Sequence, residues 1–228
     1  MRNVKKKAIL FDLDGTLWDA SETIAPAWNA WCREHGVDRV FTPADCRSYC
    51  GKTLPEIAAV IFPEAEPAWR EAVVEGCCDA ECIPLAKHGG RLYPGVEDVL
   101  ERLHAEYFLA VVSNCGLGYI EAFFSGNHTG KYFDDFENAA RTGLSKGENI
   151  RLVLERSGIE QAVYVGDTEG DRAAARLAGV PFIHAAYGYG EAADADAVLR
   201  QFTDLPDILD KLIFFRYNNH NIVGQSAR

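Results

Sequence analysis

Two aspartates follow a short apolar run near the amino terminus, and this combination constrains the fold more than any other feature. The run extends from Ala8 to Phe11, and Asp12 and Asp14 come directly after it. Such a run predicts a buried strand, whereas burying ionised carboxylates is costly unless they are paired or bind a cation. Side chains two residues apart point to the same side of a strand. The pattern therefore predicts a carboxylate pair that faces a cleft at the carboxyl end of a strand, where open α/β sheets bind ligands.

These residue types also suggest a chemistry. One carboxylate of such a pair can attack an electrophile, and the other can transfer protons. Hard cations such as Mg²⁺ prefer oxygen ligands, so a cation can lie between the two. The pair is therefore a candidate catalytic and metal-binding site.

The composition argues against one class of partner. The 228 residues carry a formal net charge of -11, and an acidic protein repels the phosphate backbone of nucleic acids. We therefore expect no nucleic-acid partner. If such a protein handles a phosphate, single lysines beside the carboxylates have to supply positive charge locally.

The sequence indicates neither a signal peptide nor a membrane span. The basic segment Met1 to Lys7 precedes an apolar run that stops at Asp12, which is too short for a signal peptide. No apolar stretch approaches the roughly 20 residues of a membrane helix, so we expect a cytoplasmic protein without a membrane partner. The seven cysteines lack paired Cys-x-x-Cys hooks, which disfavours a zinc site and favours reduced thiols.

Hydrophobic spacing divides the chain into two kinds of segment. From Ala20 to Lys87 apolar residues recur three or four apart, as at Ile24 and Trp28, which predicts a helical insert. Within it, Thr42 and Pro43 predict the start of a helix, as its cap and its first residue. Beyond it, predicted helices alternate with apolar runs such as Phe108 to Val112, which predicts an α/β fold whose parallel sheet is covered on both faces. The expected units are a core of residues 1–18 and 90–215, a helical insert of residues 19–89 and a tail of residues 216–228.

Polar residues also follow later strands or open later helices. Ser113 and Asn114 come directly after the strand that ends at Val112, and Lys146 is expected in a loop ahead of a helix over residues 149–157. Asp167 and Asp171 follow another buried run. Taken singly, each has an ordinary explanation, such as a turn, a solvated lysine or an acid at a helix amino end.

In this order and context, the motifs resemble those of the haloacid dehalogenase superfamily, in particular its phosphatase branch. Asp12 and Asp14 match the first motif, Ser113 the second and Lys146 the third, while Asp167 and Asp171 match the fourth. The later segment 188–190 and the closing helix, predicted over residues 205–214, are similar to those of phosphoglycolate-phosphatase-like members. The resemblance implies a Rossmann-like three-layer α/β/α core with a parallel sheet, and it implies that the helical insert is a cap domain.

The resemblance also implies a role for each residue in phosphoryl transfer. Asp12 is expected to attack phosphorus and form an aspartyl-phosphate, and Asp14 to donate and later accept a proton. Ser113 and backbone N–H groups near Leu13 and Asn114 would hold the phosphoryl oxygens.

The remaining implied roles concern charge. Lys146 would balance the charge of Asp12 and the phosphoryl group, and Asp171 would orient Lys146 or a metal-bound water. The implied cofactor is Mg²⁺, held by the carboxylates of Asp12 and Asp167 and by the backbone carbonyl of Asp14.

The helical insert contains a candidate specificity loop. Related caps place a loop over the substrate at the position of residues 50–53, where Lys52 could bind an anionic leaving group; a solvated turn is the alternative. Trp18 is expected near the entrance of the site, and Trp28 is expected in the core of the insert rather than against a ligand.

Other functions are less compatible with the sequence. Asp14 argues against dehalogenation, because a halide leaving group needs no proton. A phosphomutase acting on sugar phosphates remains the alternative, and a regulatory phosphate-binding protein is a further one. The segment 46–53 differs from a phosphate-binding P-loop at its first glycine and follows no strand, which disfavours a nucleotide-binding kinase. The expected partner is a small phosphorylated metabolite, with phosphoglycolate as a first guess; a monomer and a dimer both stay open.

Overall fold

The computed structural model describes residues 5–212. The strands in this range are β1 (Lys7–Phe11), β2 (Trp18–Asp19), β3 (Arg91–Leu92), β4 (Phe108–Ser113), β5 (Asp135–Asn138), β6 (Gln161–Gly166), β7 (Phe182–Ala185) and β8 (Ala197–Leu199). The helices are α1 (Ser21–Glu34), α2 (Pro43–Tyr49), α3 (Leu54–Ile61), α4 (Pro67–His88), α5 (Val96–His104), α6 (Tyr119–Gly126), α7 (Ala139–Thr142), α8 (Lys146–Ser157), α9 (Glu169–Ala178) and α10 (residues 205–212).

Six strands form one parallel sheet in the order β5-β4-β1-β6-β7-β8. The first strand of the chain lies in the middle, with β4 on one side and β6 on the other. Leu10, for example, is in register with Ala110 of β4 and Tyr164 of β6. Because all pairings are parallel, the carboxyl ends of these three strands meet at one edge of the sheet.

Both faces of the sheet are covered by helices. Along β1, Ile9 and Phe11 belong to one hydrophobic cluster, which includes residues of α5, α6 and α10. Ala8 and Leu10 belong to a second cluster, which includes residues of α8 and α9. This alternation is the period of a strand buried on both sides. The predicted α/β fold, with helices on both faces of a parallel sheet, is confirmed.

Helices α1 to α4 lie between two short strands that pair with each other. In the antiparallel β2–β3 ribbon, Trp18 is opposite Leu92 and Asp19 is opposite Arg91. The chain therefore leaves the core and returns to it at the same place, close to the expected boundaries. The segment between them is helical as expected, while its role as a separate cap domain of residues 19–89 stays a prediction.

Local capping explains where one of these helices begins. The Thr42 side chain accepts the N–H of Asp45, and the Asp45 carboxylate accepts the N–H of Thr42, with Pro43 at the first helical position. This reciprocal pair satisfies backbone donors that a helix start leaves free. The predicted start of α2, with Thr42 as its cap, is confirmed.

The edge strand β5 and the following helix α7 were not among the predicted elements. The strand has the sequence Asp-Phe-Glu-Asn and lacks the apolar run that identified the other sheet strands. Its buried Glu137 is paired with Arg141 and Arg156 instead. Tertiary ion pairs thus stabilise a strand that its own sequence does not indicate.

At the carboxyl-terminal end, the expected helix over residues 205–214 is helical up to residue 212. Its last two residues and the predicted tail of residues 216–228 lie outside the described residues. Within the described range, no helix has the length and apolar character needed to cross a membrane. All seven cysteines are free thiols.

Candidate active site

The central strands bring three predicted site residues to the same edge of the sheet. Asp12 directly follows β1, Ser113 ends β4 and Asp167 directly follows β6. All three side chains are buried, and Asp167 is completely inaccessible to solvent. The Asp12 N–H donates to the Val165 carbonyl at 2.8 Å, so Asp12 continues the sheet register. The expected convergence of these strand ends is therefore present.

Lys146 connects two of the buried carboxylates. Its ammonium nitrogen is 2.9 Å from Asp12 Oδ1 and 2.6 Å from Asp171 Oδ1, and the residue is 6% exposed. The sequence predicted a loop position, but Lys146 is the first residue of α8. The helix begins earlier than expected because Ser145 and Glu148 form a capping box.

Asp171 has two structural roles at once. Its Oδ1 accepts from Lys146, while its Oδ2 accepts from the backbone N–H groups of Asp167 and Thr168 and from the Thr168 hydroxyl. The carboxylate thus caps the amino end of α9 and holds the lysine in place. Both of its oxygens have hydrogen-bond partners, so it is poorly placed to be a direct metal ligand.

Among the described residues, hydrogen bonds reach one of the two carboxylate oxygens of Asp167. Its Oδ2 accepts the N–H groups of Tyr189 at 2.7 Å and of Gly190 at 3.2 Å. Its Oδ1 is buried and has no hydrogen-bond partner among the described residues. A buried carboxylate oxygen without a donor is costly, and a bound cation would satisfy it.

One group of acids in the described range could hold such a cation. Asp12, Asp167 and Asp171 each offer an oxygen within 4.8 Å of the others. Because Asp171 is engaged by Lys146 and by the start of α9, Asp12 and Asp167 are the members best able to bind a metal. The group does not include the Asp14 side chain; the expected contribution of Asp14 was its backbone carbonyl.

The Asp14 carboxylate lies beside a tyrosine instead. The Tyr119 hydroxyl, on α6, donates to Asp14 Oδ1 at 2.8 Å. Burial raises the pKa of Asp14 to about 7, although this hydrogen bond opposes the shift. A carboxyl group with such a pKa is present in both protonation states near neutral pH, as a proton-transfer group requires.

The pKa values of the other site residues reflect burial and mutual charge. Burial raises the pKa of Asp12 to about 6; the charge of Asp171 adds to the shift and Lys146 opposes it. Burial, with the charges of Asp12 and Asp171, raises the pKa of Asp167 to about 7. Burial alone would lower the pKa of Lys146, but the charges of Asp12 and Asp171 hold it well above its usual value. The lysine is therefore a permanent cation in the site.

Two glycines allow the backbone to approach Asp167 closely. Gly15 has a φ of +78°, and a Cβ on it would lie 2.3 Å from Asp167 Oδ2. A Cβ on Gly188 would lie 2.4 Å from both Asp167 Cβ and the Gly15 carbonyl oxygen. These positions accommodate no larger residue without moving the carboxylate.

The predicted specificity loop lies against the site, but its lysine is turned away. Asn114 Nδ2 donates to the Gly51 carbonyl at 3.0 Å, which links the loop to the end of β4. The ammonium of Lys52 donates to the Ser48 carbonyl at 2.9 Å, at the end of its own preceding helix. The Leu13 side chain is buried in the core, so a phosphate contact at this residue can come only from its backbone.

A cavity of about 70 Å³ lies between this edge of the sheet and the helices of the insert. Asp14, Ser113 and Asn114 line it from the sheet side, and Trp28 and Glu81 line it from α1 and α4. Trp28 is 4% exposed and packs against Phe41 and Tyr49, so its expected place in the core of the insert is confirmed, and it also lines the cavity.

Trp18, by contrast, was expected near the entrance and is completely buried. It packs against Tyr119 and Phe123, with ring centroids 5.7 Å and 4.9 Å away. A tryptophan with aromatic neighbours on α6 anchors the chain where it leaves the core. It belongs to the packing of the β2–β3 ribbon and not to the entrance.

Glu81 and Tyr119 were not among the predicted site residues. Glu81 carried a recognisable pattern, because it lies four residues after Cys77 and four before Leu85, both of which are buried. A carboxyl group on the apolar face of a helix is unusual enough to suggest a functional site. Tyr119 lies at a similar apolar position on α6, where a tyrosine is ordinary.

Comparisons with known proteins agree with this geometry. A family model described as haloacid dehalogenase-like hydrolase matches residues 9–185, more than half of the chain. A phosphoglycolate phosphatase from Salmonella paratyphi A is 33% identical and covers 87% of this chain and 90% of its own length. Another from Xanthomonas campestris pv. campestris is 31% identical and covers 80% of this chain and 84% of its own length. Among solved structures, CbbY from Rhodobacter sphaeroides in complex with phosphate is 25% identical, with a TM-score of 0.73. The match covers 89% of this chain and 96% of that one.

Proposed function

Because the chain belongs to the haloacid dehalogenase-like hydrolase family, we propose that it is a Mg²⁺-dependent phosphatase that forms an aspartyl-phosphate on Asp12. The family and its relatives make the chain a hydrolase of phosphoric monoesters. The proposal adds the nucleophile, the metal and the proton-transfer residue. The observation that carries it is the buried contact of Asp12 with Lys146 next to the unpartnered oxygen of Asp167.

The donors at the site fit Mg²⁺. We assign it to the carboxylates of Asp12 and Asp167 and the backbone carbonyl of Asp14, an all-oxygen set of the kind Mg²⁺ prefers. The buried Oδ1 of Asp167, which lacks a partner among the described residues, supports this assignment. When bound, Mg²⁺ supplies positive charge that offsets the repulsion between an anionic nucleophile and an anionic phosphate.

Asp12 is suited to nucleophilic attack by its surroundings. Lys146 donates to Asp12 Oδ1, so it orients the carboxylate and favours its ionised form. In the first step an Asp12 oxygen forms a bond to phosphorus while the bond from phosphorus to the ester oxygen breaks. Lys146 also provides charge for the phosphoryl oxygens, and the Ser113 hydroxyl and the N–H groups of Leu13 and Asn114 would bind those oxygens.

Asp14 completes both steps by moving one proton. In its neutral form it donates this proton to the leaving alcohol oxygen as the ester bond breaks. As a carboxylate it then takes a proton from water, whose oxygen attacks phosphorus and displaces Asp12. The pKa of about 7 allows both forms near neutral pH.

The position of the helical insert supports a role for it as a cap over this site. Helices α1 to α4 contribute one wall of the cavity, and the loop after α2 contacts Asn114 through the Gly51 carbonyl. Closure of such a wall would exclude water from the first step. We propose a small phosphorylated metabolite as substrate, with phosphoglycolate as the first ester to test because relatives carry that name. A cytoplasmic location stays a prediction.

The phosphomutase alternative is not favoured, since the relatives named above are phosphatases. It differs in transferring the phosphoryl group to a sugar phosphate and not to water. Release of inorganic phosphate in stoichiometric amounts therefore separates the two functions.

The proposal is tested by measuring phosphate release from a panel of small phosphate esters with Mg²⁺. Asp12→Asn is expected to abolish turnover, and Asp98→Asn, on the exposed surface of α5, is the matched control. Mass spectrometry of acid-quenched wild-type enzyme should find a phosphoryl group on the peptide that contains Asp12. Full turnover by Asp12→Asn, or turnover that is unaffected by removal of divalent cations, would refute the mechanism.

A further inference from the structure

The cavity beside Asp14 is the space available to the leaving alcohol. Asp14 lines it, and the proposed proton donor has to contact the ester oxygen that departs. A phosphate bound at Asp12 would therefore direct its alcohol portion toward the helices of the insert. At about 70 Å³ the cavity has room for a small alcohol.

An acid forms the far wall of this cavity. Glu81 on α4 is 5% exposed, and the Trp28 indole N–H donates to its Oε2. No described hydrogen bond engages its other oxygen, Oε1. Oε1 can therefore accept a hydrogen bond from a ligand, and a positive charge on that ligand would offset the burial that raises the pKa of Glu81 well above its usual value. The mechanism proposed above gives Glu81 no role.

The remaining cavity wall is largely apolar, with three aromatic rings, three aliphatic side chains and four cysteines, and its described residues direct no cation at the ligand. Trp28, Tyr49 and Tyr119 contribute rings, and aromatic faces attract ammonium groups. Among the described lining residues the cation is Lys52, whose ammonium instead donates to the Ser48 carbonyl. A ligand in this cavity therefore meets two carboxyl groups and a largely apolar wall that includes aromatic rings.

We propose that Glu81 selects the leaving group, and that the substrate is a small phosphate monoester whose alcohol carries a hydrogen-bond donor and no carboxylate. The donor, an ammonium or a hydroxyl group, binds the Glu81 carboxyl. This inference rests on the proposed phosphatase function and adds the substrate class. It departs from phosphoglycolate, the substrate in the name of several relatives.

A carboxylate in the same position would be poorly accommodated. It would be a second anion beside the phosphate, buried against Asp14 and Glu81 without an opposing cation from the described lining residues. Burying an uncompensated charge is far more costly than burying a hydrogen-bonded hydroxyl group. The cavity therefore discriminates between leaving groups by charge.

Four two-carbon phosphate esters that differ only in their terminal group test the proposal. These are 2-aminoethyl phosphate, 2-hydroxyethyl phosphate, ethyl phosphate and phosphoglycolate, and kcat/KM for phosphate release is measured for each. We expect an advantage of about tenfold or more for the ammonium or hydroxyl ester over phosphoglycolate, the scale of one charge-assisted hydrogen bond. The two donor esters, compared with each other, show which donor the cavity prefers.

Variants then assign the preference to Glu81. Glu81→Gln keeps the size of the side chain and is expected to reduce the advantage of the preferred donor ester over ethyl phosphate by about tenfold. The kcat/KM for ethyl phosphate itself should change little. Asp79→Asn, on the exposed side of the same helix, removes a nearby acid and should preserve the wild-type order. Thermal melting shows whether each variant is folded.

Several outcomes would overturn the inference. A higher kcat/KM of the wild-type enzyme for phosphoglycolate than for the other three esters would overturn it without any variant. If Glu81→Gln lowered kcat/KM by the same factor for all four esters, Glu81 would have a structural role only. If p-nitrophenyl phosphate is hydrolysed in an Asp12-dependent manner while all four esters are inert, the inference fails and the proposed phosphatase function stands. Absence of turnover on every ester would refute both.

Discussion

The Lys146 ammonium lies 2.6 Å from Asp171 Oδ1, although the two residues belong to different helices and both are buried. The same ammonium is 2.9 Å from Asp12. Asp171 is itself fixed by the first turn of α9 through Thr168. The position of the lysine beside the proposed nucleophile is therefore determined by the start of a helix on one side of the sheet.

Replacing this lysine should remove both activity and stability. In Lys146→Met, two buried carboxylates lose their shared cation. We expect a loss of about 3–5 kcal/mol in the free energy of unfolding, as for other broken buried ion pairs, and at least about a hundredfold loss of kcat. Urea denaturation and phosphate release measure the two effects.

Lys131→Met is the matched control for this change. Lys131 is an exposed lysine with an ion pair to Glu97, and surface pairs contribute little. If Lys146→Met were as stable as Lys131→Met, the buried contacts of Lys146 would not have the strength assigned to them.

The stability of the metal-free protein should fall as pH rises from about 4 to about 7. Burial raises the pKa of Asp12 to about 6, and burial raises the pKa values of Asp14 and Asp167 to about 7. The folded state therefore binds more protons than the unfolded state in this range, and stability decreases with pH as these groups ionise. Mg²⁺ binds the ionised forms, so its stabilising effect should grow over the same interval.

Thermal melting with Mg²⁺ and with a chelator, at several pH values, measures both trends. Asp167→Asn should show a weaker pH dependence without metal and a much smaller response to Mg²⁺. A metal-free protein that becomes more stable between pH 5 and 7 would contradict the prediction, as would a response to Mg²⁺ that does not change with pH.

A feature of the fold or the site could be predicted from the sequence when the residues that form it are close together in the chain. Asp12 and Asp14 were identifiable because a buried run and the two acids are adjacent, and the α2 cap was identifiable because it lies within four residues. The contact of Lys146 with Asp12 spans 134 positions. The motif resemblance predicted this contact, whereas residue spacing alone did not.

Features created only by tertiary packing were not predicted. Trp28 and Glu81 are 53 positions apart and form one wall of the cavity because α1 packs on α4. Similarly, the polar strand β5 is stabilised by Arg156 of α8, 19 positions further along the chain, which pairs with its buried Glu137. In both cases the stabilising partner is on another element, so no local pattern indicated it.

Tyr119→Phe should move the pH dependence of activity without abolishing it. The Tyr119 hydroxyl donates to Asp14, which favours the carboxylate and lowers its pKa; the variant should raise it. Because the first step needs neutral Asp14, the decline of kcat at alkaline pH should shift upward by about half a unit to one unit. Tyr132→Phe removes a hydroxyl that donates to Glu97 instead and should leave the profile in place. Identical profiles for the two variants would exclude Tyr119 as a modulator of Asp14.

Gly188→Ala should weaken metal binding by steric displacement. A Cβ at Gly188 would lie 2.4 Å from Asp167 Cβ and 2.4 Å from the Gly15 carbonyl oxygen, and the backbone cannot yield as a flexible side chain would. The added methyl group would have to displace Asp167 or the backbone at Gly15. We expect at least about a tenfold weaker apparent affinity for Mg²⁺, the scale seen when the positioning of a ligand is disturbed.

Gly170→Ala adds the same methyl group nearby with a different expected result. Outside the backbone of its own helix, the nearest atom to its Cβ would be Thr168 Oγ1, at 3.5 Å. Gly170 lies within α9, where alanine is favoured over glycine. This variant should keep its Mg²⁺ affinity and be slightly more stable. Titration of activity with Mg²⁺ and thermal melting of both variants provide the comparison. Equal Mg²⁺ affinities would mean that the close contact of Gly188 with Asp167 does not position the ligand.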